Sequence, residues 1–183
     1  EKTQRFFGNT FAQYSTDLGT SNQKLALKYQ LGTDSYTTNY GDVWGYGHAN
    51  SRGSIEHYHY SINEVNSLAT ATYNWKINDD FEFDALIGNE IVNKTRKYDY
   101  AYGMNFNFPG WNHMDNASVY QAREEYRRTR TVGTFGNVSL NYRDMLYLNV
   151  TGRNDVVSTM PRNNRSFFYP SVSLGWVFTE LDA

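Results

Sequence analysis

The chain has 183 residues, a formal net charge of -2 and no cysteine. The charge leaves no basic footprint for nucleic acid, and the lack of thiols excludes a disulfide framework and any thiolate metal site. Aromatic residues make up 17%, yet mean hydropathy is -0.71 and no run of about 18 apolar residues exists, so no transmembrane helix is expected.

Apolar residues recur with period two, the strand signature, and hardly anywhere at helical spacing. The first predicted strand runs from about Arg5 to Thr16, with a poor pattern. Leu25, Leu27, Tyr29 and Leu31 then alternate with Lys24, Ala26, Lys28 and Gln30. Ala69, Ala71, Tyr73, Trp75 and Ile77 form a third strand, and Phe81, Phe83, Ala85 and Ile87 a fourth. Val138, Leu140 and Tyr142 lead to Leu146, Leu148 and Val150, and the last set is Val172, Leu174, Trp176 and Phe178.

This pattern predicts roughly seven strands, each able to supply the ~9–11 residues that cross a bilayer at a tilt. Short connections are expected at Asp17–Asn22, Asn78–Asp80 and Arg143–Asp144. Long loops are expected at Thr33–Tyr60, Lys94–Arg128 and Val156–Phe167. Short-long alternation is that of an up-and-down barrel with tight periplasmic turns and long outer loops. The expected fold is all-β, an antiparallel transmembrane β-barrel segment.

On the apolar face, aromatic rings crowd beside the short turns. Tyr73 and Trp75 precede Asn78–Asp80, Phe81 and Phe83 follow it, Tyr142 precedes Arg143, and Trp176 and Phe178 close the last strand. Rings at one height are expected to form a girdle at a membrane interface, whereas a sandwich core would distribute them. The opposite face carries Lys, Glu, Asp, Asn, Thr and Arg, which would line a barrel lumen or, in a sandwich, meet solvent.

The stretch Tyr147-Leu148-Asn149-Val150-Thr151-Gly152-Arg153-Asn154-Asp155, with Ser158-Thr159-Met160-Pro161 and Asn164-Arg165-Ser166-Phe167-Phe168-Tyr169-Pro170-Ser171-Val172-Ser173-Leu174-Gly175-Trp176, resembles the SusC/RagA family of TonB-dependent outer-membrane transporters of Bacteroidetes. Val156, Val157 and Met160 depart from the family pattern in a loop. The resemblance implies a barrel of about 22 strands, of which these residues are an internal part. The family's plug and TonB-contacting segment have no counterpart here, no signal peptide is visible, and Glu180-Leu181-Asp182-Ala183 is not the usual aromatic close of such a barrel. By resemblance the whole protein imports a large nutrient, an oligosaccharide or peptide. Its partners would be outer-membrane lipid, a SusD-like surface lipoprotein as lid, and TonB acting through the plug. No cofactor and no catalysis are expected.

Candidate contacts follow. The loop holding Tyr36, Tyr40, Trp44 and Tyr46 among Gly41, Gly45 and Gly47 is expected to offer rings to ligand or, more often for such rings, to packing or a partner surface. The same two readings apply to Phe106, Phe108, Trp111 and His113. Arg153 and Asp155, at i and i+2 on the polar face, and Arg165 are expected to anchor the lumen wall and its loop. His57 and His59 share a face but lack a third ligand, so no metal site is expected. The mixed-charge run Arg123–Arg130 is expected to be a solvated loop base before a strand at Thr131. Two readings compete with the transporter: a soluble all-β carbohydrate-binding module, and a small outer-membrane barrel with an adhesion role.

Overall fold

The computed structural model describes residues 1–19 and 22–180. Seven strands form a single sheet in the order of the chain: β1 (Lys2–Asp17), β2 (Gln23–Trp44), β3 (Ser54–Lys76), β4 (Phe81–Phe106), β5 (Ala117–Tyr142), β6 (Leu146–Val157) and β7 (Ser166–Trp176). Each strand pairs with its sequence neighbours, and the registers of β5 with β6 and of β6 with β7 are antiparallel. Short 3-10 turns supply the remaining regular structure among the described residues.

The register sorts residues onto two faces. Val138, Val150 and Val172 stand in one row across β5, β6 and β7, and Leu140, Leu148 and Leu174 in the next row of that face. Between them, Ser139, Asn149 and Ser173 form a row on the other face, where the Ser139 hydroxyl lies 2.9 Å from Asn149 Oδ1. Val138 is 44% exposed and Val150 42%, although their strands have a neighbour on either side. An aqueous sheet with such a face would hide it against a second layer, and the strands here form one sheet. A transmembrane barrel instead turns its apolar face to lipid and its polar face inward. The fold is therefore all-β, a stretch of transmembrane β-barrel wall, as the alternation predicts.

Three expected long loops are corrected. β2 continues to Trp44 and β3 starts at Ser54, so most of Thr33–Tyr60 is strand. β4 continues to Phe106 and β5 starts at Ala117, which leaves a tip of about ten residues in place of Lys94–Arg128. Between β6 and β7 only Ser158 to Arg165 connect. The Arg123–Arg130 run is likewise strand, within β5. The reason is that alternation marks a strand only where one face meets an apolar medium. At ~3.3 Å per residue, the 26 residues of β4 reach roughly 85 Å, well beyond an apolar band ~25 Å tall even at a 45° tilt. Strand residues outside such a band have water on both sides, and no apolar alternation is required of them.

The short connections hold where they are described. The first falls partly on Thr20 and Ser21, outside the described residues. At Asn78–Asp80, Asn78 Oδ1 accepts from the Asp80 and Phe81 amides at 2.9 and 2.8 Å. Arg143 and Asp144 both adopt left-handed backbone, φ 52° and 53°, without the usual Asn-Gly. Side chains hold them there: the Asp144 amide donates to Asn141 Oδ1 at 3.1 Å, and the Arg143 guanidinium grips Asp80 at 2.7 and 3.2 Å. The hydrogen bond from Arg143 holds the Asp80 carboxyl below the usual carboxylate range.

The chain divides into two compact units. One comprises Glu1–Gly8, Thr33–Glu64 and Lys94–Arg128; the other comprises Asn9–Gly32, Val65–Asn93 and Thr129–Ala183.

Two predictions follow from the faces and the turns. Val150→Arg should cost about 2–4 kcal/mol of folding stability in lipid vesicles, whereas Asn149→Arg on the polar face should cost far less; equal costs, read by denaturant titration, would contradict the face assignment. Because the Asp80 carboxyl is held low, its grip on Arg143 should be intact at neutral pH, survive below the ordinary carboxylate value of about 4, and fail as pH drops through the lowered value. Hydrogen-exchange protection of the Arg143 amide should track that loss in the native protein and be weak at every pH in Asp80→Asn.

Candidate functional site

In the first unit, tyrosines gather on one side of three neighbouring strands. On β4, Tyr98, Tyr100 and Tyr102 stand two residues apart, so their rings point the same way. Their planes are nearly parallel, at 9° and 6°, with centroids 6.4 and 6.5 Å apart. Tyr58 of β3 lies 6.0 Å from Tyr98, and Tyr40 of β2 stacks on Tyr58 at 4.6 Å and 18°. Tyr36 meets Tyr60 at 6.3 Å. These β4 tyrosines have the same parity as Lys94, whose ammonium pairs with Glu64 at 2.9 Å, which places them on the polar face.

Two carboxylates border the rings. Glu56 Oε2 lies 3.5 Å from the Tyr100 hydroxyl, and Asp42 Oδ2 lies 3.3 Å from that of Tyr40. Among the described residues neither takes part in an ion pair. Burial first, and then these carboxylates, push the Tyr40 and Tyr100 phenols up, so both hydroxyls stay protonated and available as donors.

The hairpin tips hold a second feature. Ile55, Phe106 and Ala117 are buried together, with Met114 packed against them. Phe106 sits over Gly53, whose φ of +86° suits glycine and whose added Cβ would lie 2.7 Å from the Phe106 ring and from the Trp44 carbonyl. Asn116 is fully buried and organises the tip between β4 and β5. Its Oδ1 accepts from the Asn107 and Phe108 amides at 3.1 and 3.3 Å, and its Nδ2 donates to the Phe108 and Trp111 carbonyls at 2.8 Å each. That frame presents a stack to solvent: Phe108 on Trp111 at 5.7 Å and 10°, and Trp111 on His113 at 5.1 Å and 2°.

In the second unit, Arg153 Nε donates to Asp155 at 2.9 Å and its Nη2 to Glu90 at 2.8 Å. The guanidinium also lies 5.6 Å from the Phe135 ring centroid. Gly133 makes the room, because a Cβ there would come within 2.5 Å of the guanidinium. Arg165 stays apart from this cluster: its carbonyl accepts from the Val157 amide at 2.9 Å, and its side chain is exposed. The aromatic residues beside the short turns meet in pairs, two across strands and one between the end of β7 and the 3-10 turn Phe178–Glu180 that follows it, so that Phe178 lies just beyond the last strand. Tyr73 contacts Phe83 at 6.3 Å, Phe81 contacts Tyr142 at 4.7 Å, and Trp176 contacts Phe178 at 6.4 Å. Trp75 is two residues from Tyr73 on β3.

The sequence-predicted aromatic set is therefore split. Tyr36 and Tyr40 lie on β2, not in a loop, and Trp44 is its last residue. Tyr46 and Trp111 lie in hairpin tips. His59 Nδ1 pairs with Asn39 Oδ1 at 2.7 Å, and no group of three metal-ligating side chains occurs among the described residues.

No family model matches the sequence. The chain is similar to a TonB-dependent receptor of Formosa agariphila, 25% identical over 124 residues, covering 63% of this chain and 12% of that protein. A solved structure of the RagAB peptide transporter superposes with a TM-score of 0.76 at 19% identity, covering 93% of this chain and 20% of that one. The chain therefore shares its fold with a segment of the RagAB transporter. RagAB in its closed-closed and open-open states gives TM-scores of 0.67 and 0.61, each at 17% identity over the same shares. The chain thus spans about a fifth or less of the length of the proteins it matches.

The residues of this wall that sequence reasoning missed are Tyr58, Tyr60, Tyr98, Tyr100, Tyr102, Glu56 and Asn116. The i, i+2 spacing of Tyr98, Tyr100 and Tyr102 was a usable signal once Lys94–Arg128 was read as strand. Nothing local marks Asn116 or the Glu90 partner of Arg153, 63 residues away.

Asn116→Ala should leave the Phe108 amide without its acceptor and the Phe108 and Trp111 carbonyls without the donor they share, at a local cost of about 1–3 kcal/mol, while the Asn107 amide keeps the Asn116 carbonyl. The tip from Asn107 to Asn116 should then exchange and proteolyse faster while the wall stays protected. Unchanged protection of the tip would show that Asn116 does not organise it.

Proposed function

We propose that these residues form wall strands and projecting outer hairpins of a TonB-dependent outer-membrane transporter that imports an oligosaccharide or a peptide. The observation that supports this most is the pairing of an exposed apolar face and a polar face on one antiparallel sheet, in a chain that superposes on RagAB over 93% of its length. Val150, Val172 and Leu174 would meet lipid, and Tyr73, Trp75, Phe81, Phe83, Tyr142, Trp176 and Phe178 would sit at the periplasmic interface as its aromatic girdle.

The remaining roles follow from the faces. Arg153, braced between Glu90 and Asp155, would stiffen the lumen side of the wall, with Arg165 fixing the loop beyond. The tyrosine side of β2, β3 and β4 would meet the nutrient. The Phe108–Trp111–His113 stack and Tyr46, outermost in the hairpins, would meet a SusD-like lipoprotein lid. TonB would act through a plug outside these residues. Passage is gated and breaks no bond in the cargo, so the site needs preorganised contacts and no acid-base pair.

Deleting the gene in its native host should abolish uptake of one class of peptide or oligosaccharide, and a protonophore should abolish the same uptake in the parent. Unimpaired growth of the deletion strain on every peptide and oligosaccharide tested, or a protein that stays in the aqueous phase after carbonate extraction, would overturn this reading.

A further inference from the structure

We propose that the tyrosine file of β4 binds an extended peptide main chain, and that Glu56 and Asp42 select a peptide carrying a cationic side chain; the proposal rests on the transporter reading above. The spacing carries the argument. Tyr98, Tyr100 and Tyr102 repeat at 6.4 and 6.5 Å with nearly parallel rings, so their hydroxyls share that repeat. An extended peptide turns every second carbonyl to the same side, at a repeat of roughly 6.6–6.8 Å. Three phenol donors therefore meet three successive same-side carbonyls in register.

The same geometry disfavours a glycan. A pyranose held between two of these rings needs ~3.5–4 Å to each, more than a 6.4 Å centroid spacing provides. The phenol hydroxyls, by contrast, are donors that a peptide carbonyl can accept from. Hydroxyl donation also suits a sequence-tolerant importer, since every peptide offers carbonyls.

Charge supplies the selectivity. Asp42 lies 3.3 Å from the Tyr40 hydroxyl and Glu56 3.5 Å from that of Tyr100, and among the described residues neither is ion-paired. Beside them Tyr40 and Tyr58 stack at 4.6 Å, giving an electron-rich surface. Two unpaired carboxylates with adjoining aromatic rings match a lysine or arginine side chain, through Coulomb attraction and cation–π contact. Tyr100 now reaches Glu56 only at 3.5 Å; a bound cation on Glu56 frees that hydroxyl for a ligand carbonyl.

The test uses the full-length protein purified from outer membranes in detergent. Binding is read by calorimetry with three probes: a 12-residue Ala/Ser peptide with two lysines, its glutamate counterpart, and a linear dextrin of seven glucose units. The lysine peptide should bind tightest. Replacing Tyr98, Tyr100 and Tyr102 together by Phe keeps the rings and should weaken all peptide binding at least tenfold. Glu56→Gln with Asp42→Asn should weaken the lysine peptide about fivefold and leave the glutamate peptide unchanged or tighter. Heat-modifiable migration in gels establishes that each variant is folded. Unchanged peptide affinity in the triple Phe variant, tighter binding of dextrin than of either peptide, or no binding of any probe by the native protein would each overturn the inference. If nutrient uptake still depends on the gene, only the inference falls; if uptake is independent of the gene, the transporter reading falls with it.

Discussion

A chain that crosses lipid must satisfy every backbone N–H and C=O within the protein, since an unpaired group there costs several kcal/mol. The rest of this structure depends on that constraint. It demands strands that hydrogen-bond to both neighbours without interruption, and here each of the seven pairs with the next in chain order. It also removes the need for an interior between two layers. Apolar side chains are left on the surface, because their partner is a medium and not another part of the fold. Val138 and Val150, on strands paired on both sides, are exposed for this reason.

Away from lipid the same strands answer to other forces. The hairpin ends between β2 and β3 and between β4 and β5 hold together by local devices. A small buried cluster of Ile55, Phe106 and Ala117 fixes the tips, and the fully bonded Asn116 sets the conformation of the residues between β4 and β5. A buried asparagine with four satisfied partners is rigid, since losing any one strands a polar group. Rigid tips let Phe108, Trp111 and His113 stay stacked in water, and a preorganised aromatic surface loses little entropy when it binds.

On the polar face, charge is distributed in short braces and not in one strong field. Lys94 pairs with Glu64, Arg5 with Asp34, and Arg153 with both Glu90 and Asp155. Half-exposed pairs of this kind contribute little individually. Their effect is geometric, holding long side chains flat along the wall. Asp42 and Glu56 differ from these because a phenol, not a cation, is their neighbour.

What the sequence by itself determined is the part of the fold that a medium imposes. Leu25 to Leu31, Phe81 to Ile87 and Leu146 to Val150 alternate because one side meets lipid, and that alone predicts strand identity, face and the short turns. The Arg153 stretch and the Tyr169–Trp176 return were legible through family resemblance. Tertiary structure decided what depends on residues far apart in the chain. Strand continuity through Thr33–Trp44 and Lys94–Phe106 left little apolar alternation to read, the i, i+2 repeat of Tyr98, Tyr100 and Tyr102 being its one trace. Tyr36, Tyr40, Tyr58 and Tyr98 lie on three strands, and only cross-strand pairing brings them to one side. Glu90 reaches Arg153 across 63 residues for the same reason: a period-two pattern specifies which face a side chain takes, whereas register specifies its neighbours.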